Sequence, residues 1–208
     1  MAAAHRREED RRMNRAAAPV IAHPDAHVLR LLGRAVHGVM GHAQAGDLPL
    51  SAWTLSLPQE ELCELLSFCF PELDDLERMP AQQYDTLMRQ ASWEQRQLVQ
   101  LLLAQCTIPV VERHAYWAAH VVAAAAQGSR HLWEDMGLGG REEVSTLLQY
   151  FFAPFCEKNI AHLKWKRFMF DQLALMHPDV RVRKPDCTLC EQQRACFPAE
   201  FAQESKLT

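Results

Sequence analysis

The chain has 208 residues, a formal net charge of −4, and 49% hydrophobic against 23% charged residues. This is the composition of an ordinary globular domain, long enough to bury a sizeable core, and its mild acidity argues against a nucleic-acid partner. The cysteine count is odd, at seven, and Cys63, Cys69, Cys106 and Cys156 sit in or beside apolar helical patterns, which predicts free thiols in a reducing compartment, the cytoplasm.

Residues 1–24 mix alanine with charges of both signs and end in Pro19 and Pro24, the composition of a disordered leader. Met1 to Arg15 has no apolar segment, so no signal peptide is expected there, and no stretch of the chain is apolar enough to span a membrane. From Asp25 the stripe Val28, Leu31, Leu32, Ala35, Val36, Val39, Met40 has helical spacing, with Asp25 as N-cap and Gly41 and Gly46 near the end. His23 and His27 are four apart across Pro24, a poor basis for a shared metal face; they are expected to be solvated.

Ser56-Leu-Pro-Gln59 reads as a helix start, with Ser56 capping and Gln59 in the capping-box position, and Phe70-Pro71 stops that helix. Leu73 to Pro80 is a connector. Tyr84 to Gln105 reads as one long helix, buried through Leu87, Ala91, Leu98, Leu101 and Leu102 and broken by Ile108-Pro109. Val110 to Gln127 follows, alanine-rich enough for close helix approach and ending at Gly128; His114 and His120 along it are six apart and expected to be satisfied in the core or at the surface. In Ser129 to Gly140 a histidine, two acids, a tryptophan and three glycines fall together. His131 is the leading functional candidate outside the cysteines; equally, Trp133 and Leu138 can plug the core while His131 caps a helix. Arg141 to Phe152 and then Phe155 to Met176 complete the helices, with Lys164, Lys166 and Arg167 on the flanks of the last and Pro178 after it.

Strand-like alternation is confined to Val180 to Arg183, so the fold class is all-α: a helical bundle over residues 25–180 with a cysteine-bearing C-terminal segment, 181–208. In that segment Cys187, Cys190 and Cys196 have the spacing C-x2-C-x5-C. Three thiolates so close can collar one metal or one face of an iron–sulfur cluster. From Glu157 to Lys184 there are seven Lys or Arg against three Asp or Glu, a charge bias that suits an anionic cluster or an oxyanion.

His131-Leu-Trp-Glu-Asp-Met-Gly-Leu138, Leu163-Lys-Trp-Lys-Arg-Phe168, Asp171-Gln-Leu173 and the collar, in that order, resemble the NifQ family. The resemblance covers residues 110–200 well and the earlier helices loosely. It implies a non-enzymatic metallochaperone of nitrogen fixation, carrying molybdenum in a molybdenum–iron–sulfur cluster to nitrogenase cofactor-assembly proteins. The family motif is C-x4-C-x2-C-x5-C, and Val182 stands where its first cysteine would be; Ala174 stands at another frequent cysteine position. Three thiolates could hold the three irons of a cubane, with the molybdenum corner completed by solvent or by a side chain such as His177 or Asp179. The substitution fits a carrier, and it fits equally a NifQ-like paralogue with weakened binding. A rival from another class is a binding module with a structural zinc held by the collar and either His177 or an acidic residue. Hydrolase signatures, nucleophile elbow, phosphate loop and HExxH among them, do not occur.

Overall fold

The computed structural model describes residues 25–73, 76–183 and Cys196. Every regular element among them is helical. The expected leader at 1–24 and most of the C-terminal segment, with Cys187 and Cys190, lie outside the described residues.

Helix α1 (Ala26–Ala45) begins where the aspartate cap predicts: the Asp25 carboxylate accepts from the His27 amide at 2.8 Å. It ends at Gly46, whose φ of 82° is a left-handed C-cap. A short 3-10 turn (Leu50–Thr54) leads to α2 (Gln59–Cys69). Pro58, not Ser56, precedes α2. Ser56 has a φ of 54°, outside N-cap geometry, and its hydroxyl accepts from Gln95 Nε2 at 2.8 Å. Gln59 reaches the Met79 carbonyl instead of closing a capping box.

The single helix expected over Tyr84 to Gln105 is two, α3 (Ala81–Arg89) and α4 (Trp93–Leu103). Ser92 divides them. Its hydroxyl accepts from the Gln95 amide and donates to Gln127, each at 2.9 Å, so it caps a new helix in mid-pattern. Helix α5 (Glu112–Ala125) is the centre of the bundle, buried from Trp117 through Ala125. Its alanines give no side-chain bulk, which lets α4, α1 and α7 (Arg141–Phe151) pack directly on it. Between α5 and α7 lies the short helix α6 (Leu132–Asp135). Here α1 crosses the chain so closely that a Cβ on Gly38 would collide with the Met136 carbonyl and Gly137.

The last expected helix also divides, into α8 (Ala153–Glu157) and α9 (Trp165–Met176). Buried Asn159 is the reason. Its amide bonds the Leu163 carbonyl at 3.0 Å and its oxygen accepts from the Leu163 amide at 2.8 Å, closing the loop between the two helices. The strand-like alternation at Val180 to Arg183 forms no strand: Val180 lies in a bend, its amide bonded to the His177 carbonyl, and 181–183 pair into no sheet. Among the described residues no helix is long and apolar enough to cross a membrane.

Candidate metal centre

Helix α9 precedes the cysteine collar in the chain, and its first turn carries a buried ion pair. Lys166, expected on a flank, is 5% exposed. Its ammonium donates to the Gly128 carbonyl at 2.8 Å, the Arg130 carbonyl at 2.7 Å and Asp135 Oδ2 at 2.5 Å. Asp135 is fully buried, and its other oxygen accepts from Arg130 Nε at 3.1 Å. Arg130 Nη2 also lies 2.9 Å from His42 Nδ1 and 3.3 Å from Asp47. A lysine taken out of water is tolerated only with its donors matched, and here three oxygens meet them.

At the other end of α9, His177 is the C-cap residue. Its amide bonds Leu173 O at 3.1 Å and its carbonyl accepts from Val180 N at 3.0 Å. The ring stands edge-on to Trp93, centroids 5.0 Å apart and planes at 72°. Its Nε2 is buried with no hydrogen-bond partner. Val182 then packs against the core, half-buried, and the Arg183 amide donates to the Glu94 carboxylate at 2.9 Å. The segment 177–183 is thus tied down twice at the start of α4, by His177 on Trp93 and by Arg183 on Glu94.

Of the predicted ligands, Cys187 and Cys190 lie outside the described residues; Cys196 is a half-buried thiol in helical conformation, and His177 stands as described. No group of three His, Cys, Asp or Glu side chains among the described residues could hold a metal ion. The cysteines assigned to the core have a chemistry of their own. Burial pushes Cys69 up to about 12; it does the same to Cys156, aided by Glu157, and raises Cys106, where Glu112 adds to it. A thiol so raised carries little thiolate, the form that binds metal.

The basic bias before the collar is thinner than its count suggests. Lys166 is spent on Asp135, and Arg167 Nε lies 3.5 Å from the Asp171 carboxylate. Arg181 and Arg183 remain exposed. Among the histidines, His120 Nδ1 bonds the Leu55 carbonyl at 2.9 Å, whereas His114 Nδ1 is buried without a partner against Phe68 and Trp117.

His131 stands at a helix end, where the structural reading of the sequence puts it. It precedes α6, its amide donates to Glu134 at 2.8 Å, and its ring stacks on Trp133. Leu138 is buried, and Trp133 packs against the core. What the motif supplies is Asp135, which sequence reading passed over. The available signal was an acid and a lysine within the two apolar motifs of the resemblance.

A model of the family described as NifQ matches residues 35–198, which takes in the whole collar. The chain is 30% identical to Protein NifQ of Azotobacter vinelandii over 76% of its own length and 85% of that relative's. Against Protein NifQ of Rhodobacter capsulatus the identity is 30%, over 74% of this chain and 80% of the relative. Protein NifQ of Klebsiella pneumoniae is 32% identical over 38% of this chain and 48% of its own. No solved structure matches the chain.

Proposed function

The chain belongs to the NifQ family, and from that premise we propose that it serves nitrogen fixation as a molybdenum carrier. Its cargo is a molybdenum–iron–sulfur cluster held by Cys187, Cys190 and Cys196. The observation that carries the reading is the C-x2-C-x5-C collar, which falls inside the family match. Three thiolates fit a cluster with three irons, one sulfur to each, and leave the molybdenum without a cysteine. A metal less firmly held is one that can be handed to cofactor-assembly proteins, which are the partners this reading requires. The protein contributes holding and release, with no turnover chemistry of its own.

Two features of the described residues support this division of labour. Val182 has no donor atom and is turned to packing, so the family's fourth thiolate position is absorbed into the fold. The thiols of Cys69, Cys106 and Cys156 are raised by burial and compete poorly for metal. Anaerobic purification followed by Fe, Mo and Zn analysis tests the proposal. A brown protein with iron and molybdenum is expected; a colourless one containing zinc alone would replace the carrier with a structural zinc module.

A further inference from the structure

We propose that His42 is a protonation switch in the junction between α1 and α9. Neutral, its Nδ1 accepts from Arg130; protonated, it donates to Asp47 and gives up Arg130.

Three polar atoms meet at the end of α1. His42 Nδ1 lies 3.1 Å from Asp47 Oδ2 and 2.9 Å from Arg130 Nη2, and Nη2 lies 3.3 Å from the same Oδ2. A guanidinium nitrogen only donates and a carboxylate oxygen only accepts, whereas an imidazole nitrogen does either, according to whether it carries a proton. The three atoms are therefore never all matched. With Nδ1 bare, Arg130 donates to it and two acceptors, Nδ1 and Oδ2, face each other. With Nδ1 protonated, Asp47 accepts from it and two donors, Nδ1 and Nη2, face each other. A proton at Nδ1 thus exchanges one matched pair for the other, and Arg130 is the side chain it repels.

Each partner is held in place. The His42 carbonyl accepts from the amides of Asp47 at 2.9 Å and Leu48 at 3.2 Å, which keeps Asp47 beside the ring. Arg130 is held on its far side by Nε, 3.1 Å from Asp135, and its carbonyl accepts from Lys166 Nζ at 2.7 Å. With the imidazole neutral, the cations Arg130 and Lys166 stand against the anions Asp47 and Asp135; a proton makes three cations against two anions.

The charged groups on the other elements packed against α1 are engaged elsewhere. On α7, Glu143 pairs with Arg34, two turns earlier on α1. On α2, Glu60 pairs with Arg78, and Glu61 and Glu64 pair with Arg113. Glu134 of α6 accepts from the His131 amide. The 3-10 turn Leu50–Thr54 and the last turn of α5, residues 122–125, carry no charge, and one turn from His42 on α1 are Gly38, Val39, Ala45 and Gly46. The His42 side chain is 26% exposed, so the proton comes from solvent. Imidazole is the side chain that changes charge between about pH 5 and 8. Acid therefore loosens Arg130, and with it the turn whose carbonyls hold Lys166 at the base of α9.

Nitrogen-15 NMR of the full chain, titrated from about pH 8 to about pH 5, tests the switch. At the alkaline end His42 should carry its proton on Nε2, leaving Nδ1 bare. As Nδ1 gains a proton, the guanidinium resonances of Arg130 should move with the same midpoint. At the acid end, exchange of the Arg130 side-chain N–H groups should be roughly tenfold faster than in His42→Asn at the same pH. That variant should also lack the Arg130 inflection, and Asp47→Asn should lower the His42 midpoint by roughly one pH unit. A His42 that keeps one protonation state throughout, or that already holds a proton on Nδ1 at the alkaline end, overturns the proposal. So does an Arg130 with no inflection at the His42 midpoint. If His42→Asn does not fold, the two inflections in the parent decide the matter without it.

Discussion

At its first turn α9 buries a lysine and bonds it to three oxygens; at its last it leaves Leu175 73% exposed, Met176 50% exposed, and an imidazole nitrogen unmet. The two ends lie on one helix of twelve residues. At the first end the buried ammonium has its donors matched by oxygens of the protein, which holds α9 in place. The second keeps capacity in reserve, next to the segment that bears the collar.

The comparison breaks most visibly at Asp135. Asp135→Ala leaves Lys166 charged, buried and short of its counter-ion, and is expected to cost about 3–5 kcal/mol of stability in urea denaturation. The double variant Asp135→Leu with Lys166→Met should recover a large part of that loss, because an apolar pair of similar size avoids the desolvation of both charges. If the double variant is no better than the single, the junction is held by packing and the ion pair is incidental.

Metal content probes the other end. Cys190→Ser is expected to lose nearly all iron and molybdenum with little change in the stability of the metal-free protein, whereas Cys106→Ser should keep its metal. Retained metal in the first with loss in the second would overturn the assignment of the collar. Val182→Cys places a thiol where the resemblance implies a fourth cysteine, at a half-buried position against the core. It should raise molybdenum occupancy and resistance to chelator if the new thiol can turn outward from its packing. No change in either would show that packing, not donor identity, governs residue 182.

The histidines sharpen the contrast between a satisfied ring and an unsatisfied one. Burial holds the imidazole of His120 below its ordinary 6.5, against the opposing effect of its bond to the Leu55 carbonyl. The unfolded chain therefore takes up a proton near pH 6.5 that the folded chain refuses, so stability is full above that pH and falls as the pH drops below it. The slope is at most about 1.4 kcal/mol per pH unit for each such group. His114, lowered by burial and then by Arg113, adds its own share. Urea denaturation at about pH 7.5 and about pH 5.5 should show the loss, and His120→Asn should reduce it. An unchanged slope in the variant would mean that His120 does not titrate with unfolding. The smallest effect is expected at His177→Phe, which removes an unmet polar atom and keeps the ring. Its stability should stay within about 1 kcal/mol of the parent; a large loss would mean that the nitrogen already has a structural bond.

Residue spacing by itself determined the all-α class, because apolar positions three and four apart need no partner to be recognised. It placed α1 at its Asp25 cap, α5 by its alanines, and α7 by Val144, Leu147, Leu148 and Phe151. It also brought out the collar, since three cysteines within ten residues are a local pattern. Tertiary contacts decided the rest. Ser92 divides a continuous apolar pattern because its hydroxyl has both the Gln95 amide and the side chain of Gln127, and Gln127 lies on another part of the chain. Ser56 fails as a cap because Gln95, also distant in sequence, takes its hydroxyl. Lys166 looks like a solvated flank until Gly128, Arg130 and Asp135 converge on it from more than thirty residues away. His177 looks like any histidine after a helix, and only the packing of Trp93 and the absence of a partner at Nε2 set it apart. Period and spacing are properties of neighbours along the chain, whereas the partner that satisfies or strands a polar group is a property of the fold.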